Sequence, residues 1–248
     1  MPPVEIDGNP ITGATIDGTD VQEITVDGDV VFSAAPPLPT NGLEHRYDAT
    51  QLSLNNGASV STWPDTVVGE DATAGNAPTY RTSGINGFAS VEFDKTFSEF
   101  LNVNFSTTIS QPLEYFVVLE LNDNNFAQDY LDGFSQNVRT RFNFFGTNFE
   151  LRAGTSLLFS GVPPTTPTIA TSIFDGSNSE LRLNGNGQGV GNPGTNGLDG
   201  IHIGRRLGST NTSIDGQIGE ILIYDASVSG FDRAAVESFL SNKWNISI

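Results

Sequence analysis

The sequence DGQIGEILIYD at residues 215–225, together with the segment that follows it, decides the fold class of this 248-residue chain. Residues 217–224 are rich in isoleucine and predict a β-strand after a Gly-containing turn. Beyond this strand, four apolar residues at helical spacing fall on one face: Val236, Phe239, Leu240 and Trp244. Ser229 is expected to cap this helix, with Asp232 in its first turn. The C-terminal part of the chain is therefore predicted to be a strand that leads into a single helix.

Short apolar runs alternate with clusters of Asn, Gly, Asp and Ser from Leu43 onward. Residues 114–121 are apolar enough for a central strand, whereas residues 139–145 alternate polar and apolar side chains, as in a strand with one covered face. Many short strands with turns at regular intervals are typical of a β-sandwich or jelly roll. The predicted fold class is all-β, a jelly-roll sandwich with a C-terminal helix. Further strands are predicted at residues 88–93, 169–174, 180–183 and 201–203.

Residues 1–34 carry a repeat in which an aliphatic residue is followed by Asp-Gly, at residues 6–8, 16–18 and 26–28. Asp-Gly is a preferred pair for tight hairpin turns, so the repeat predicts a small β meander. About thirty residues cannot bury a sufficient core alone. We therefore interpret the meander as an anchoring and assembly module, and the alternative is a first hairpin of the main domain. The candidate assembly residues are Ile6, Ile16, Ile24, Val26 and Phe32.

Residues 35–41 contain three prolines within four positions. This composition favours an extended, semi-rigid spacer. The predicted organisation is a small module at residues 1–34, a Pro-rich linker at 35–41 and a jelly roll at 42–248.

Acidic residues outnumber basic ones by 29 to 11, so the formal net charge is −18. Nucleic-acid recognition depends on clustered Lys and Arg, so no nucleic-acid partner is expected. The dispersed acids favour a salt-adapted surface, because molar salt screens repulsion between like charges. An ordinary acidic extracellular protein is the alternative. The apolar runs are too short to span a bilayer and the N-terminus lacks the pattern of a secretion signal, so membrane insertion and export are not expected.

Several motifs in residues 43–248 share their order and spacing with a known family. LEHRYDA at 43–49 and VSTWPD at 60–65 match a first strand and a Trp-x-Asp turn, and LRLNG at 181–185 matches a strand that ends in an Asn-Gly turn. The most specific match is the strand at 215–225 and the helix that follows it. These motifs resemble the concanavalin A-like lectin/glucanase jelly rolls of the LamG type. The resemblance implies a lectin-like fold and a carbohydrate ligand, although one fold hosts many functions.

The Asp-Gly meander resembles short N-terminal modules that attach appendage proteins to tailed-virus particles, including those of salt-loving hosts. This resemblance implies a non-enzymatic virion surface protein, such as a capsid turret or decoration protein or a tail fibre, assembled in the host cytoplasm and released by lysis. It further implies contacts with other virion proteins through residues 1–40, a homo-oligomer that gains avidity by repetition, and host-surface glycans as ligands. An exported cell-surface adhesin is an alternative with the same fold.

Candidate glycan-binding residues combine aromatic rings with amides and carboxylates in or near loops. They are Tyr80, Asn122, Asp123, Asn125, Phe126 and Tyr130. Calcium is the one cofactor that the resemblance implies, and the oxygen-rich candidates for its ligands are Asp123, Asn125 and Asp129. No loop has the Asp-x-Asn-x-Asp-Gly spacing of a cation-binding loop.

Catalysis of the glucanase kind would need two glutamates four or five residues apart on one strand, so that their carboxyl groups lie about 5 Å apart. The Glu-x-Asp occurrences at 5–7 and 92–94 have no second glutamate at that spacing. His45 and His202 are the only histidines and lie far apart in the sequence, which disfavours zinc-hydrolase motifs and a Ser-His-Asp triad. No catalytic residue is predicted, and a glycan-active hydrolase assembled from distant loops is the alternative function.

Overall fold

The computed structural model describes residues 36–122, 127–136, 138–209 and 211–248 in full, and the backbone of short strands between residues 5 and 33. The chain divides into two compact units, Met1–Leu38 and Pro39–Ile248. The division falls within the Pro-rich stretch at residues 35–41.

The first unit contains three antiparallel hairpins, each a separate two-stranded sheet in the described backbone. The two residues between the strands of each hairpin are an Asp-Gly pair of the repeat. The predicted assembly side chains, Ile6, Ile16, Ile24, Val26 and Phe32, lie outside the part of the chain whose side chains are described. Their role in assembly stays a prediction. The hairpin strands are β1 (Glu5–Ile6), β2 (Asn9–Pro10), β3 (Thr15–Ile16), β4 (Thr19–Asp20), β5 (Glu23–Val26) and β6 (Asp29–Ser33).

The second unit is a sandwich of two eight-stranded antiparallel sheets. In the first sheet the order is β10-β11-β22-β13-β18-β19-β20, and β7 also pairs with β22. In the second sheet the order is β17-β16-β15-β14-β21-β12-β9-β8. The strands are β7 (Leu43–Asp48), β8 (Thr62–Trp63), β9 (Ala72–Asn76), β10 (Thr79–Arg81), β11 (Ser90–Phe93), β12 (Phe100–Ile109), β13 (Leu113–Leu121), β14 (Gln128–Gly133), β15 (Arg141–Phe145), β16 (Asn148–Arg152), β17 (Ser156–Ser160), β18 (Thr168–Phe174), β19 (Ser179–Leu183), β20 (Asn186–Gly191), β21 (Leu198–Ile203) and β22 (Gly216–Asp225).

The predicted all-β class with a C-terminal helix is confirmed, and each strand predicted from the sequence is present with its ends shifted by at most three residues. Asn184 and Gly185, between β19 and β20, have φ values of 46° and 73°. Such left-handed backbone at both turn positions is why Asn-Gly is favoured in tight hairpins. The four 3₁₀-helices in the described residues are Ala49–Gln51, Ile85–Gly87, Lys95–Phe97 and Gly176–Asn178.

One hydrophobic core fills the space between the two sheets. The central strand β13 is buried along almost its whole length, as its apolar sequence predicts. Trp63 is completely buried and packs edge-on against Tyr47, with 6.3 Å between the ring centroids. The core therefore fixes the inward faces of both sheets and leaves the outward faces to polar residues or to the helix.

The helix α1 (Arg233–Trp244) packs on the outer face of the first sheet. Asp232 is its N-cap and accepts a hydrogen bond from the Ala235 amide at 3.1 Å, so the prediction that Ser229 caps the helix is wrong. The Ser229 carbonyl instead accepts a bond from the Asn41 side chain. Gly230, at φ +84°, keeps the chain non-helical before Asp232. Among the described residues, no helix is long and apolar enough to cross a membrane.

Buried charges attach α1 to the first sheet. Glu220 of β22 is fully buried and accepts bonds from Lys243 at 2.7 Å and from the Trp244 indole at 2.8 Å. Arg46 of β7 donates to the other oxygen of Glu220 at 2.8 Å. Trp244 lies over Gly219, where a Cβ atom would approach the indole to 2.4 Å. The protein's own helix therefore covers this part of the outer face of the first sheet.

Candidate functional site

Strands β15 and β16 separate apolar and polar side chains onto opposite faces of the second sheet. Phe142 and Phe144 of β15 belong to the hydrophobic core. Arg141 and Asn143 alternate with them and therefore project from the outer face. Glu150 of β16 is directly opposite Asn143 in the antiparallel register and lies on the same outer face. Two neighbouring strands thus place an arginine, an amide and a carboxylate side by side.

A cleft of about 270 Å³ opens on this outer face. Three parts of the chain form it: the start of β14, the β15–β16 hairpin and the loop at residues 204–214. That loop is held on the sheet, because the Leu207 amide donates to Asp132 at 3.0 Å and the Asp129 amide donates to the Thr212 carbonyl at 2.9 Å. The cleft is lined by Ala127, Asp129, Arg141, Asn143, Phe145, Glu150, Arg152, Arg206 and Thr212.

Arg141 is the centre of the buried charge network in the cleft. Its guanidinium donates to Glu150 at 2.5 Å and lies 3.6 Å from the Asp129 carboxylate. Ser156 donates to the other Glu150 oxygen, and Arg152 donates to Ser156 at 2.9 Å. Burial alone would raise the pKa of Glu150, but the bonds from Ser156 and Arg141 outweigh it and lower the pKa. Glu150 is therefore an ionised carboxylate whose two oxygens are both engaged.

The pKa of Asp129 is shifted in the opposite direction to that of Glu150. It is 1% exposed, and burial raises its pKa to about 6 although Arg141 pulls in the other direction. One of its oxygens has no hydrogen-bond partner among the residues that the structure describes. The same holds for the Asn143 side-chain oxygen, which is also buried in the cleft. Buried polar groups are normally satisfied, so unpaired groups beside a cleft indicate a site where a ligand or water completes the bonding.

The rim of the cleft combines positive charge with an exposed ring. Phe145, at the end of β15, is 64% exposed. Arg152 is 38% exposed at its side chain, and Arg206 is half-buried. A ligand in the cleft would therefore meet an apolar ring and two guanidinium groups, with the network around Arg141 beneath it.

Two of the predicted glycan-binding residues are in the core, so the prediction that their rings form a sugar platform is wrong. Tyr130 is fully buried, because a β-bulge between Asp129 and Leu131 turns its ring inward onto Phe142 at 4.7 Å. Tyr80 is 5% exposed and its hydroxyl donates to the Leu52 carbonyl at 3.0 Å. A ring packed in the interior has no face for a sugar.

The remaining predicted residues are at or near the 122–129 segment. Asn122 is exposed, and its amide donates to Asp215 at 2.8 Å. Asp123, Asn125 and Phe126 lie outside the described residues, and their predicted roles stay predictions. Asp129, predicted as a calcium ligand, lines the cleft 3.6 Å from the Arg141 guanidinium, and its role as a ligand stays a prediction. Within the described residues, no three acidic or histidine side chains come together in a way that could hold a metal ion.

Sequence reasoning missed most of the cleft. The alternation of Arg139, Arg141 and Asn143 with phenylalanines was visible, but it indicated only a strand with one polar face. A stronger signal was the concentration of scarce cations: five of the eleven Lys and Arg residues occur in the short segments 139–152 and 205–206. In a chain with 29 acids, such clustering could have identified a local positive site.

A second buried polar cluster has a structural role. His45 Nδ1 donates to the Asp65 carboxylate at 3.0 Å, and the His45 ring stacks on Phe105 with 3.7 Å between centroids. Asp65 also accepts the backbone amides of Arg46 and Val67, each at 3.0 Å. Burial alone would raise the pKa of Asp65, but these bonds outweigh it and lower the pKa. The Trp-x-Asp turn noted in the sequence is thus a loop held by its aspartate.

Solved structures of other proteins share this fold. Domain 4 of AbnA, a GH43 extracellular arabinanase from Geobacillus stearothermophilus solved with arabinotriose, aligns at a TM-score of 0.58 and 15% identity over 80% of this chain and 98% of that domain. Trypanosoma rangeli sialidase in complex with sialic acid aligns at a TM-score of 0.53 and 13% identity over 90% of this chain. The chain spans 36% of the sialidase.

No protein-family model matches the sequence, and no curated protein matches it. At these identities the structural likeness establishes the fold alone. The second unit is therefore a two-sheet β-sandwich that shares its fold with the solved structures of the arabinanase domain and the sialidase.

Proposed function

We propose that this protein is a non-enzymatic carbohydrate-binding protein whose site is the cleft on the outer face of the second sheet. The observation that carries the proposal is the placement of Phe145, a 64% exposed ring, beside the polar groups of Asn143, Arg152 and Arg206. Small-ligand sites combine apolar or aromatic surface with a few placed polar groups. Sugars present both kinds of surface, because their C–H faces are apolar and their edges carry hydroxyl groups.

The rigidity of the cleft supports the same function. Its side chains stand mainly on paired strands whose inner faces are fixed by the core, so little side-chain or backbone freedom is lost on binding. The arabinanase domain with this fold was solved with arabinotriose, which supports a saccharide as the ligand class for such a sandwich. The lectin-like identity inferred from the LamG-type motifs agrees with this proposal.

Replacing Phe145 with Ala is expected to weaken saccharide binding about tenfold, or ~1.4 kcal/mol, because the apolar contact with the sugar face is lost. The measurement is titration of the full-length protein against immobilised arabino-, gluco-, galacto- and galacturono-oligosaccharides in 0.15 M and 2 M NaCl. Phe97→Ala is the matched control, since Phe97 is 65% exposed but does not line the cleft. Equal loss in both variants, or no binding by the unmodified protein, would contradict the assignment.

Glycoside hydrolysis is the second candidate, and one observation favours it. The cleft holds a carboxyl with a raised pKa, Asp129, and one with a lowered pKa, Glu150, and such a pair is typical of acid and base roles. Both Glu150 oxygens are already engaged by Arg141 and Ser156, which favours binding over catalysis. Assaying the binding reactions for new reducing ends separates the two functions: release that Glu150→Gln abolishes would establish a hydrolase.

The proposed location is the surface of a virus particle, with attachment to host glycans as the role and a salt-adapted environment. The supporting features are the Asp-Gly hairpins of the first unit, the Pro-rich stretch after them and the net charge of −18. We expect the full chain to be present in particles purified from lysed host cells, and a chain without residues 1–40 to be absent from them. Equal particle content of both chains would contradict attachment through this segment, and detection only on host cell surfaces would favour the exported adhesin.

A further inference from the structure

Arg206 differs from the other Lys and Arg residues in the contacts that its side chain makes with the described residues. Nine of the eleven Lys and Arg side chains lie within 4 Å of a carboxylate. Arg205 donates to the Ser98 carbonyl and lies over the Phe100 ring at 3.6 Å. Of the eleven Lys and Arg side chains, only that of Arg206 makes neither a hydrogen bond nor an ion pair within 4 Å with the described residues. Its charge still acts to lower the pKa of Asp129 and of Asp132, against the effect of their burial.

Arg206 occupies a fixed position on the cleft. The carbonyl of Arg206 accepts a bond from the Ser209 amide at 3.2 Å, and the next residue, Leu207, is tied to the buried Asp132. Its side chain is half-buried and lines the cleft together with Arg141 and Arg152. The Arg206 side chain therefore lies in a concave surface, on a backbone that hydrogen bonds hold in place.

The charge of the cleft is positive, although the charge of the chain is strongly negative. Three guanidinium groups, those of Arg141, Arg152 and Arg206, line it against two carboxyl groups, those of Asp129 and Glu150. Both carboxylate oxygens of Glu150 already accept hydrogen bonds, one from Arg141 and the other from Ser156. Arg141 is 5% exposed at its side chain and engaged by Glu150, whereas Arg152 and Arg206 are accessible at the rim. The unbalanced positive charge is thus at the rim, where a ligand enters.

We infer that the cleft selects a negatively charged saccharide, with the carboxylate or sulfate group of the sugar held by Arg206 and with Arg152 as the second cation. The planar guanidinium matches a carboxylate or sulfate with two parallel N–H donors, which a hydroxyl group cannot reproduce. The sugar ring then lies against Phe145. This inference rests on the proposed carbohydrate-binding function and adds the class of sugar that the site takes.

The test compares saccharide polymers that differ only in charge. Full-length protein is titrated against polygalacturonate and against its methyl ester, and against dextran sulfate and dextran. We expect the unmodified protein to bind at least one charged polymer about tenfold or more tightly than its neutral counterpart. Arg206→Gln should lower the affinity for that charged polymer roughly 10- to 100-fold, as for loss of a hydrogen bond to a charged group, and should lower the affinity for the neutral counterpart much less. Arg206→Lys should retain part of the preference for the charged polymer, because lysine keeps the positive charge but lacks the two parallel N–H donors of the guanidinium.

Arg81→Gln is the matched control, because Arg81 pairs with Glu92 on the first sheet and is remote from the cleft lining. Thermal unfolding of each variant shows whether the fold is retained, and Arg206→Gln is expected to change the unfolding temperature little, because its side chain makes no hydrogen bond or ion pair within 4 Å with the described residues. Equal binding of charged and neutral polymers overturns this inference and leaves the proposed function standing. A charge preference that survives in Arg206→Gln overturns the role of Arg206. Failure to bind any polymer overturns both this inference and the proposed function.

Discussion

Replacing Glu220 with Ala is expected to lower the free energy of unfolding by about 3–5 kcal/mol, as for removal of one partner from a buried charge cluster. Glu220 is completely buried and accepts hydrogen bonds from Arg46, Lys243 and the Trp244 indole. Without the carboxylate, Arg46 and Lys243 keep only Asp48 as a carboxylate partner, and the buried Trp244 N–H loses its acceptor. Because Lys243 and Trp244 belong to the C-terminal helix, the helix should also detach at a lower denaturant concentration than the sandwich unfolds.

Urea unfolding followed by tryptophan fluorescence and by far-ultraviolet circular dichroism measures both effects. Glu44→Ala is the matched control, since Glu44 is half-buried on the same strand as Arg46 and has no hydrogen bond or ion pair among the described residues. Its change should be within about 0.5 kcal/mol. A loss below about 1 kcal/mol for Glu220→Ala would show that this charge cluster does not hold the helix.

Replacing Asp129 with Asn is expected to stabilise the protein by about 3 kcal/mol at pH 7.5, and by about half as much at pH 5. Burial raises the pKa of Asp129 to about 6 in the folded state, against an ordinary value of 3.8. The folded protein therefore holds this proton more strongly than the unfolded chain does. Stability is lost as the pH rises from the unfolded pKa through the folded pKa, and the loss is complete above about pH 7. Asparagine has nearly the same shape and no charge to desolvate.

The measurement is the difference in unfolding free energy between the variant and the unmodified protein from pH 5 to pH 8, with Glu44→Gln as the control for removal of a carboxylate. The difference should increase up to about pH 7 and then remain constant. A difference that is zero or negative at every pH would show that Arg141 compensates the Asp129 charge fully. A carboxyl group that destabilises the protein and is nevertheless kept in a cleft is typical of a functional site, because function there is maintained at the expense of stability.

Much of the fold could be predicted from local sequence because its causes are local. The alternation in residues 139–145, the apolar run at 114–121 and the Asn184-Gly185 pair each depend on backbone geometry within a few residues. The helix was predicted from apolar spacing for the same reason. Its cap was predicted wrongly, since Ser229 and Asp232 are both good caps and the Asn41 side chain, distant in the sequence, binds the Ser229 carbonyl.

The candidate site depended on the tertiary structure. Tyr130 was expected to be a surface ring, but a one-residue bulge opposite β15 turns it into the core and leaves Asp129 on the outer face. Arg141, Arg152 and Arg206 come from three segments that only the strand register and the 204–214 loop bring to one cleft. The sequence by itself determined the strands, the turns, the helix and the all-β class, because backbone geometry and the period of two act over short distances. Only the tertiary structure decided which polar side chains share a cleft and which cation makes no ion pair with the described residues, because these depend on contacts between residues far apart in the chain.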